Sequence, residues 1–344
     1  MKILVLNAGS SSIKYQLFNI TKKEQIVIDK GIYEEVKNFD ETIKTIIQTY
    51  SNIDIYGHRV VHGGDKFYQP TLINDEVIQN IKDISHFAPL HNKANLNGII
   101  AIKKLYPDAQ QVAIFDTAFH HTIPKKSHLY PLPYKFYEKH KIRRYGFHGT
   151  SHSYVAKQCA KKLNKPLENL NLITIHLGNG ASMCAIQNGI SIDTSMGLTP
   201  LEGLMMGTRC GDIDPAIIFY MQNNLNLTIK EIENILNKKS GLLGISEKSS
   251  DLREVINFAQ KGDDKSQLAL EIFAYKVQKY IGSYMFVLDK VDAVVFTGGI
   301  GENSPFMRDM ILKDKTLNTK VMVIPTNEEL EIAMLTYEIA KSRD

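Results

Sequence analysis

Five clusters of polar and glycine-rich residues in this chain have the composition to handle a phosphate. In NAGSSSIK, residues 7–14, backbone N–H groups and the hydroxyls of Ser10 and Ser12 suit phosphate oxygens, with Lys14 as a point charge. The spacing is not that of a P-loop, which requires G-x-x-x-x-G-K-[ST]. HLGNGAS, residues 176–182, has glycines that let a backbone approach a ligand closely. It is not a dinucleotide fingerprint, because Met183 stands where the third glycine belongs and a strand pattern follows. FTGGIGENSP, residues 296–305, runs from an apolar strand into a glycine turn and then Ser304-Pro305, a helix start that favours anions.

The other two clusters hold arginine and histidine. DTSMGLTPLEGLMMGTRCGDIDP, residues 193–215, is long, non-periodic and rich in Gly, Thr and Met, and such loops tend to be functional. Arg209 inside it could lie over a transferring phosphoryl group. GHRVVHGG (57–64) and RYGFHGTSH (144–152) each contain His-x-x-x-His, His58 with His62 and His148 with His152. A helix is not expected through Gly63-Gly64 and no third ligand is near, so neither pair is read as a metal site. Arg59 among valines calls for a carboxylate, from the protein or from a substrate.

The elements that must position these residues fall into two similar series. ILVLN, AGSSS, IKYQLF, NITKKE and QIVIDKGIY alternate as strand, turn, strand, turn, strand. NLITIHLGNGASMCAIQNGISIDTS repeats that order, with Asn188-Gly189 marking a two-residue hairpin. Helices and single strands follow each series. NKANLNGIIAIKKL reads as a helix stopped by Pro107, and QVAIFDTAF as a strand with Asp116 near its carboxyl end. Asp214-Pro215 and the capping box Thr228-x-x-Glu231 start helices, residues 264–290 are helical, and DAVVF and VMVIP are strands. The pattern implies an α/β fold of two duplicated domains.

Bulk properties narrow the class. The chain has 344 residues, enough for two cores, with 41 basic and 37 acidic residues. That balance implies no polyanionic partner, and the basic run KHKIRR (139–144) reads as a solvated face. Cys159, Cys184 and Cys210 form no CxxC, as expected of a reduced, cytoplasmic chain without disulfides or structural zinc. Ile3–Leu6 is too short for a signal-peptide core, and no apolar run approaches the roughly 18 residues of a membrane span.

Taken together, LNAGSSSIKYQLF, GHRVVHGG, APLHNKANL, RYGFHGTSH, HLGNGAS, DTSMGLTPLEG, GTRCGDIDP, FTGGIGENS and PTNEEL resemble the acetate kinase family, from residue 2 to about residue 338. The resemblance implies an actin-like ATPase (ribonuclease H-like) fold with a cleft between domains 1–118 plus 330–344 and 119–329. It implies reversible phosphoryl transfer from ATP to acetate, giving acetyl phosphate and ADP, with Mg²⁺ (or Mn²⁺ in its place), in a homodimer. Asn7 and Glu328 would place the metal, and Lys14 would face nucleotide phosphate. His176, Leu177, Gly178, Asn179 and Gly180 would line the phosphates. Asp251, Leu252, Arg253, Gly299, Ile300, Gly301, Glu302 and Asn303 would hold adenosine. Arg59 would bind the acetate carboxylate beside His91, with Val61, Leu90, Phe147 and Pro200 around its methyl group. His148 and Arg209 would stabilise the transferring phosphoryl, and Asp116 would orient Arg209 or a metal-bound water. Relative to the family pattern, the segments Phe18–Arg59 and Asn303–Val321 are short.

Three other readings are weaker. A propionate or butyrate kinase differs by a methylene, worth only about 1–3 kcal/mol. A nucleotide-binding switch without catalysis needs no carboxylate pocket. A nucleic-acid binder would rest on residues 139–144 alone. Acetate resembles a glutamate side chain, of pKa about 4.3, so it needs no base at neutral pH. Asp116→Asn is therefore expected to lower activity while both limbs of the pH–rate profile remain; a selectively missing limb would identify Asp116 as a general base.

Overall fold

The structure is a computed structural model that describes residues 1–9, 12–50, 52–313 and 317–342, without the side chains of residues 86, 89 and 90. The chain divides into two compact units, Met1–His121 with Phe147–Tyr154 and Asn327–Asp344, and Thr122–Gly146 with Val155–Thr326. Residues 147–154, assigned by sequence to the second domain, thus cluster with the first.

The first unit is built on a six-stranded sheet of β1 (Lys2–Ala8), β2 (Ile13–Ile20), β3 (Gln25–Tyr33), β4 (Ile55–Val60), β5 (Thr71–Leu72) and β6 (Gln111–Phe115). Its order is β3-β2-β1-β4-β6-β5, antiparallel through the first three strands and parallel from β1 to β4 to β6. The period of two along β1 sets its two faces. Leu4, Leu6 and Ala8 pack with Ile43, Ile46, Ile47 and Ile102, from helices Phe39–Thr49 and Pro89–Leu105. Ile3 and Val5 pack with Ile332 and Ala333 of helix Glu328–Lys341. Strand β3 is an edge whose Ile26, Val27, Ile28 and Ile32 remain about half exposed.

The second unit repeats the plan with β7 (Leu172–Leu177), β8 (Ala181–Gln187), β9 (Ile190–Thr194), β10 (Ala293–Thr297) and β11 (Lys320–Val323), in the order β11-β10-β7-β8-β9. The antiparallel trio and the parallel continuation correspond strand for strand with the first unit. Asn188 (φ 51°) and Gly189 (φ 76°) form the expected hairpin between β8 and β9. The Thr228–Glu231 capping box is formed, and helix Asp264–Leu288 runs as the sequence indicated. Two local details differ. Residues 298–303 form a short helix rather than a turn, and the helix expected from Pro215 begins at Ala216, whose N–H donates to Asp214 Oδ1 at 2.9 Å. Among the described residues, no helix is long and apolar enough to cross a membrane.

Burial has a consequence for acid stability. His58, whose Nε2 is 2.8 Å from Gln111 Oε1, and His120 are both pushed down to about 4, with desolvation as the leading cause. The unfolded chain binds a proton at these sites near pH 6.5 and the folded chain only near pH 4, so stability is lost as pH falls through that window, by at most about 3 kcal/mol per histidine. Denaturant unfolding at pH 7 and pH 4.5 should show the loss, with a smaller loss in His58→Gln; equal losses would refute the assignment to His58.

Candidate active site

In the first unit, the carboxyl ends of parallel β1, β4 and β6 bring three oxygen- or nitrogen-bearing side chains to one place, and helix Glu328–Lys341 adds Glu328. Leu6 of β1 pairs with His58 of β4, and Val60 pairs with Phe115, so Asn7, Arg59 and Asp116 project from neighbouring strand ends. The Asp116 N–H donates to the Val60 carbonyl at 3.0 Å, fixing the backbone there. Arg59 clasps Asp116 bidentately, Nε to Oδ1 at 3.0 Å and Nη2 to Oδ2 at 2.7 Å. Its Nη1 reaches Asn7 Oδ1 at 3.5 Å, and its Nε lies 3.7 Å from Glu328 Oε2. Burial alone would lower Arg59, but Asp116 and then Glu328 more than offset it and hold the guanidinium protonated. Burial pushes the Asp116 carboxyl up, and Arg59 is the main influence opposing it. The pair is an ion pair held by geometry. The sequence reading gave Asp116 to Arg209 or to a metal-bound water; its partner in the structure is Arg59.

Asn7, Glu328 and Asp116 therefore converge on one guanidinium. Their hard oxygens suit Mg²⁺, which keeps much of its water and takes few protein ligands. Among the described residues, no cluster of three or more His, Cys, Asp or Glu side chains makes a self-contained metal cage. Lys14, directly opposite Asn7 in the β1–β2 register, forms a 2.8 Å ion pair with the buried Glu329. It is thus tethered beside the turn, where a phosphate role was expected for it. Ser12 closes the turn by accepting the Gly9 N–H at its carbonyl, 2.7 Å away. Ser10 lies outside the described residues.

His148 has a left-handed backbone (φ 56°), an uncommon state for a non-glycine residue and one that clusters at functional positions. The next residue explains it. The Gly149 N–H donates to the Asp116 carbonyl at 2.9 Å, and a Cβ on Gly149 would collide with that oxygen. The chain therefore turns sharply at His148 to start helix Gly149–Leu163 against Asp116. Val61 and Phe147 are both buried. Behind Phe147, the ring of His62 makes an edge contact at 5.5 Å and stacks on Phe87 at 5.0 Å. His91 lies on the helix that starts at Pro89, and the Leu90 side chain is outside the description.

Two residues of the same helix went unnoticed in the sequence. Asn92 accepts the His62 N–H at 3.0 Å and donates back to the His62 carbonyl at 3.0 Å. Asn95, one turn on, accepts the Val61 N–H at 3.0 Å and donates to the Ala8 carbonyl at 2.7 Å. Both side chains are buried. Asparagines three apart on a buried helical face were the available signal.

In the second unit, a cavity of about 850 Å³ opens beside the glycine turn between β7 and β8. Gly178, Asn179, Asp251, Leu252, Arg253, Gly299, Ile300 and Asn303 line it, all expected from sequence, together with Ser250, Ile256, Ser304, Pro305 and Phe306, which were not. Ile256 follows Leu252 by one helical turn, a spacing visible in the sequence. His176, Leu177, Gly180 and Gly301 lie in the framework rather than on that lining. Glu302 is structural: its Oε1 accepts N–H groups of Gly298 and Thr326, each at 2.9 Å. Asp251 caps helix Leu252–Gln260 and holds the exposed Arg253 guanidinium, Nε to Oδ1 at 3.0 Å.

Arg209 belongs to a loop bonded to this turn, because the Gly207 N–H donates to the Asn179 carbonyl at 3.1 Å. Its Nη1 donates to the Pro200 carbonyl at 2.6 Å. Burial lowers its pKa, and among the described residues no carboxylate pairs with it. The basic run 139–144 is not a solvated face throughout. Arg143 is buried over the Tyr145 ring and Arg144 forms an ion pair with Glu202.

Two α/β units built to one plan, one with a nucleotide-sized cavity beside a glycine turn, define the duplicated actin-like ATPase fold. The comparisons narrow the class. The model of the acetokinase family matches residues 2–49 and 30–318, and the chain belongs to that family. It is 50% identical to the acetate kinase of Halothermothrix orenii over 398 positions, which cover 99% of this chain and 100% of the relative. The solved structure of Porphyromonas gingivalis acetate kinase is similar at TM-score 0.90 and 38% identity, covering 98% of this chain and 99% of that one. A propionate kinase from Francisella tularensis is equally similar in structure, with TM-score 0.90, 43% identity and the same coverage. An alignment of 398 positions leaves at least 54 (398 less 344) without a counterpart here. The two family matches overlap at residues 30–49, which lie within the segment read as short.

Replacing Asn95 by Ala would strand the Val61 N–H and the Ala8 carbonyl without partners in a buried place. A loss of about 2–4 kcal/mol in denaturant unfolding is expected; a loss below about 0.5 kcal/mol would show that the asparagine clamp carries no weight.

Proposed function

We propose that this chain transfers the γ-phosphoryl group of ATP to a carboxylate oxygen of acetate, forming acetyl phosphate and releasing ADP, and catalyses the reverse. One observation carries this reading furthest. An arginine with no carboxylate partner among the described residues sits in a loop bonded directly to the glycine turn of a nucleotide-sized cavity. Such a guanidinium is free to serve a phosphate.

The roles follow from charge and position. Phosphoryl transfer asks the protein for alignment and positive charge and for little covalent chemistry. The cavity residues hold adenosine, with the Arg253 plane offered to the base and the 178–180 turn facing phosphate. Arg59, its orientation fixed by Asp116, receives the acetate carboxylate, while Val61, Leu90, Phe147 and Pro200 exclude water around the methyl group and His91 lies beside them. An acetate oxygen forms the new bond to the γ-phosphorus as the bond to the bridging oxygen breaks, its electron pair leaving with ADP. Arg209 and His148 stabilise the charge spread over the transferring group. Asn7 and Glu328 would hold Mg²⁺ through oxygen or its waters, and that ion, when bound, neutralises phosphate charge. Mn²⁺ is expected to substitute. Asp116 acts as the orienter of Arg59 rather than as a base, since acetate is ionised at neutral pH.

The relatives' names support acetate as the acid. The propionate kinase among the similar structures makes the three-carbon acid the closest competitor, because one methylene contributes only about 1–3 kcal/mol. A homodimer at work in the cytoplasm, without nucleic-acid or membrane partners, completes the proposal.

Hydroxylamine trapping of acyl phosphate tests it, using Mg-ATP with acetate, propionate or butyrate. Strong trapping with acetate, reduced about 10³-fold in Arg209→Ala, is expected. Preference for a longer acid would keep the mechanism and change the substrate. Absence of trapping from folded, ATP-binding protein would overturn the proposal.

A further inference from the structure

The segment 193–215 has neither helix nor strand after β9, yet it carries Arg209. What keeps it in one conformation is a set of charged and phenolic side chains that the reaction itself does not use. Arg144 Nη1 donates to three successive carbonyls, those of Thr194 at 2.7 Å, Ser195 at 3.1 Å and Met196 at 3.4 Å. Its Nη2 donates to Glu202 Oε1 at 2.5 Å. The other Glu202 oxygen accepts the Tyr130 hydroxyl, and that hydroxyl in turn accepts the Leu198 N–H at 2.9 Å. Glu202 thus ties the backbone at 194–196 and at 198 to its own position. Pro200, whose carbonyl receives Arg209 Nη1, lies inside the loop so closed.

The packing is tight enough for small displacements to matter. Gly197 faces both Glu202 Oε2 and the Tyr130 hydroxyl, and a Cβ there would collide with each. The Gly197 carbonyl also accepts N–H groups of Tyr145 at 3.0 Å and Gly146 at 3.2 Å, so the segment that carries Arg144 is bonded back to the same turn. Burial and then Glu202 push the Tyr130 hydroxyl up, keeping it a donor. Glu202 more than offsets the effect of burial on Arg144, which stays charged. A partly buried ion pair is weak evidence for stability, since desolvation offsets much of its attraction. Three bonds from Arg144, and a fourth through the Tyr130 hydroxyl, fix backbone that is largely without regular structure of its own. Its contribution is to select one conformation.

We propose that Glu202 is a positioning residue for phosphoryl transfer: through Arg144 and Tyr130 it holds the 194–203 turn so that the Pro200 carbonyl aims the guanidinium of Arg209. The proposal rests on the kinase reading for its effect on rate. Its structural content, an Arg209 side chain ordered by Glu202, stands independently.

The test uses the full chain with ¹⁵N-arginine, alongside steady-state kinetics. In the wild type, the Arg209 Nε–H resonance, assigned by its loss in Arg209→Ala, should report an ordered guanidinium. In Glu202→Gln it should shift and its order parameter should fall below about 0.6. Activity should drop about 10- to 100-fold in kcat, with the KM for ATP within about twofold, because a misaimed charge acts mainly on the transition state. In the Arg209→Ala background the same substitution should change kcat by less than about twofold, since the two residues act as a unit. Tyr130→Phe, which removes a single hydroxyl, should reproduce a smaller version of each effect should Glu202→Gln fail to fold. An unchanged Arg209 resonance, or equal losses of kcat in both backgrounds, would overturn the proposal. Should the wild-type protein form no acyl phosphate, the kinase reading fails while the resonance still decides whether Glu202 orders Arg209.

Discussion

The bidentate contact between Arg59 and Asp116 is the interaction on which the first unit's polar arrangement depends. A guanidinium largely removed from water at the ends of buried strands is costly unless an anion faces it. Asp116 supplies that anion from the adjacent strand end, and its own carbonyl anchors the Gly149 N–H, which forces the left-handed turn at His148. One carboxylate residue thus orients an arginine through its side chain and a histidine through its backbone. That economy explains why Asp116 matters to the site without any need for it to accept a proton.

The second unit solves a related problem by the same means. Arg144 and Glu202 form an ion pair whose remaining donors and acceptors go to backbone carbonyls and to a phenol. In both units the charged pair fixes irregular chain rather than filling a core. Neutral side chains do this where no charge is wanted, as Asn92 and Asn95 do between helix Pro89–Leu105 and the end of β4. Arg209 differs from both arginines because among the described residues it meets a carbonyl and no carboxylate.

The chain is shorter than the relatives it matches. The two family matches overlap at residues 30–49, beginning in β3, which is an edge strand of the sheet. Ile26, Val27, Ile28 and Ile32 are about half exposed along that edge. Charged Asp29 and Lys30 within the strand, with Asp29 receiving the Tyr50 hydroxyl, are the kind of feature that discourages edge-to-edge aggregation. Every strand that carries a site residue lies inward of this edge.

The sequence by itself determined the duplicated strand series, the hairpin at Asn188-Gly189, the capping box and the glycine-rich turns, while most lining residues of the nucleotide-sized cavity were named through the family resemblance. These are local: period-two alternation, turn chemistry and helix capping act within a few residues, and glycine-rich turns identify themselves. The sequence could not decide which charge meets which. Asp116 lies 57 residues from Arg59, Glu202 58 residues from Arg144, and Glu329 further still from Lys14. Nothing within a short window distinguishes those partners from other acids, so Asp116 was assigned to Arg209 or a metal-bound water, Lys14 to phosphate and residues 143–144 to the surface. Only the register of parallel strands and the path of the 193–215 loop, fixed by burial of apolar faces far apart in the chain, brought the actual pairs together.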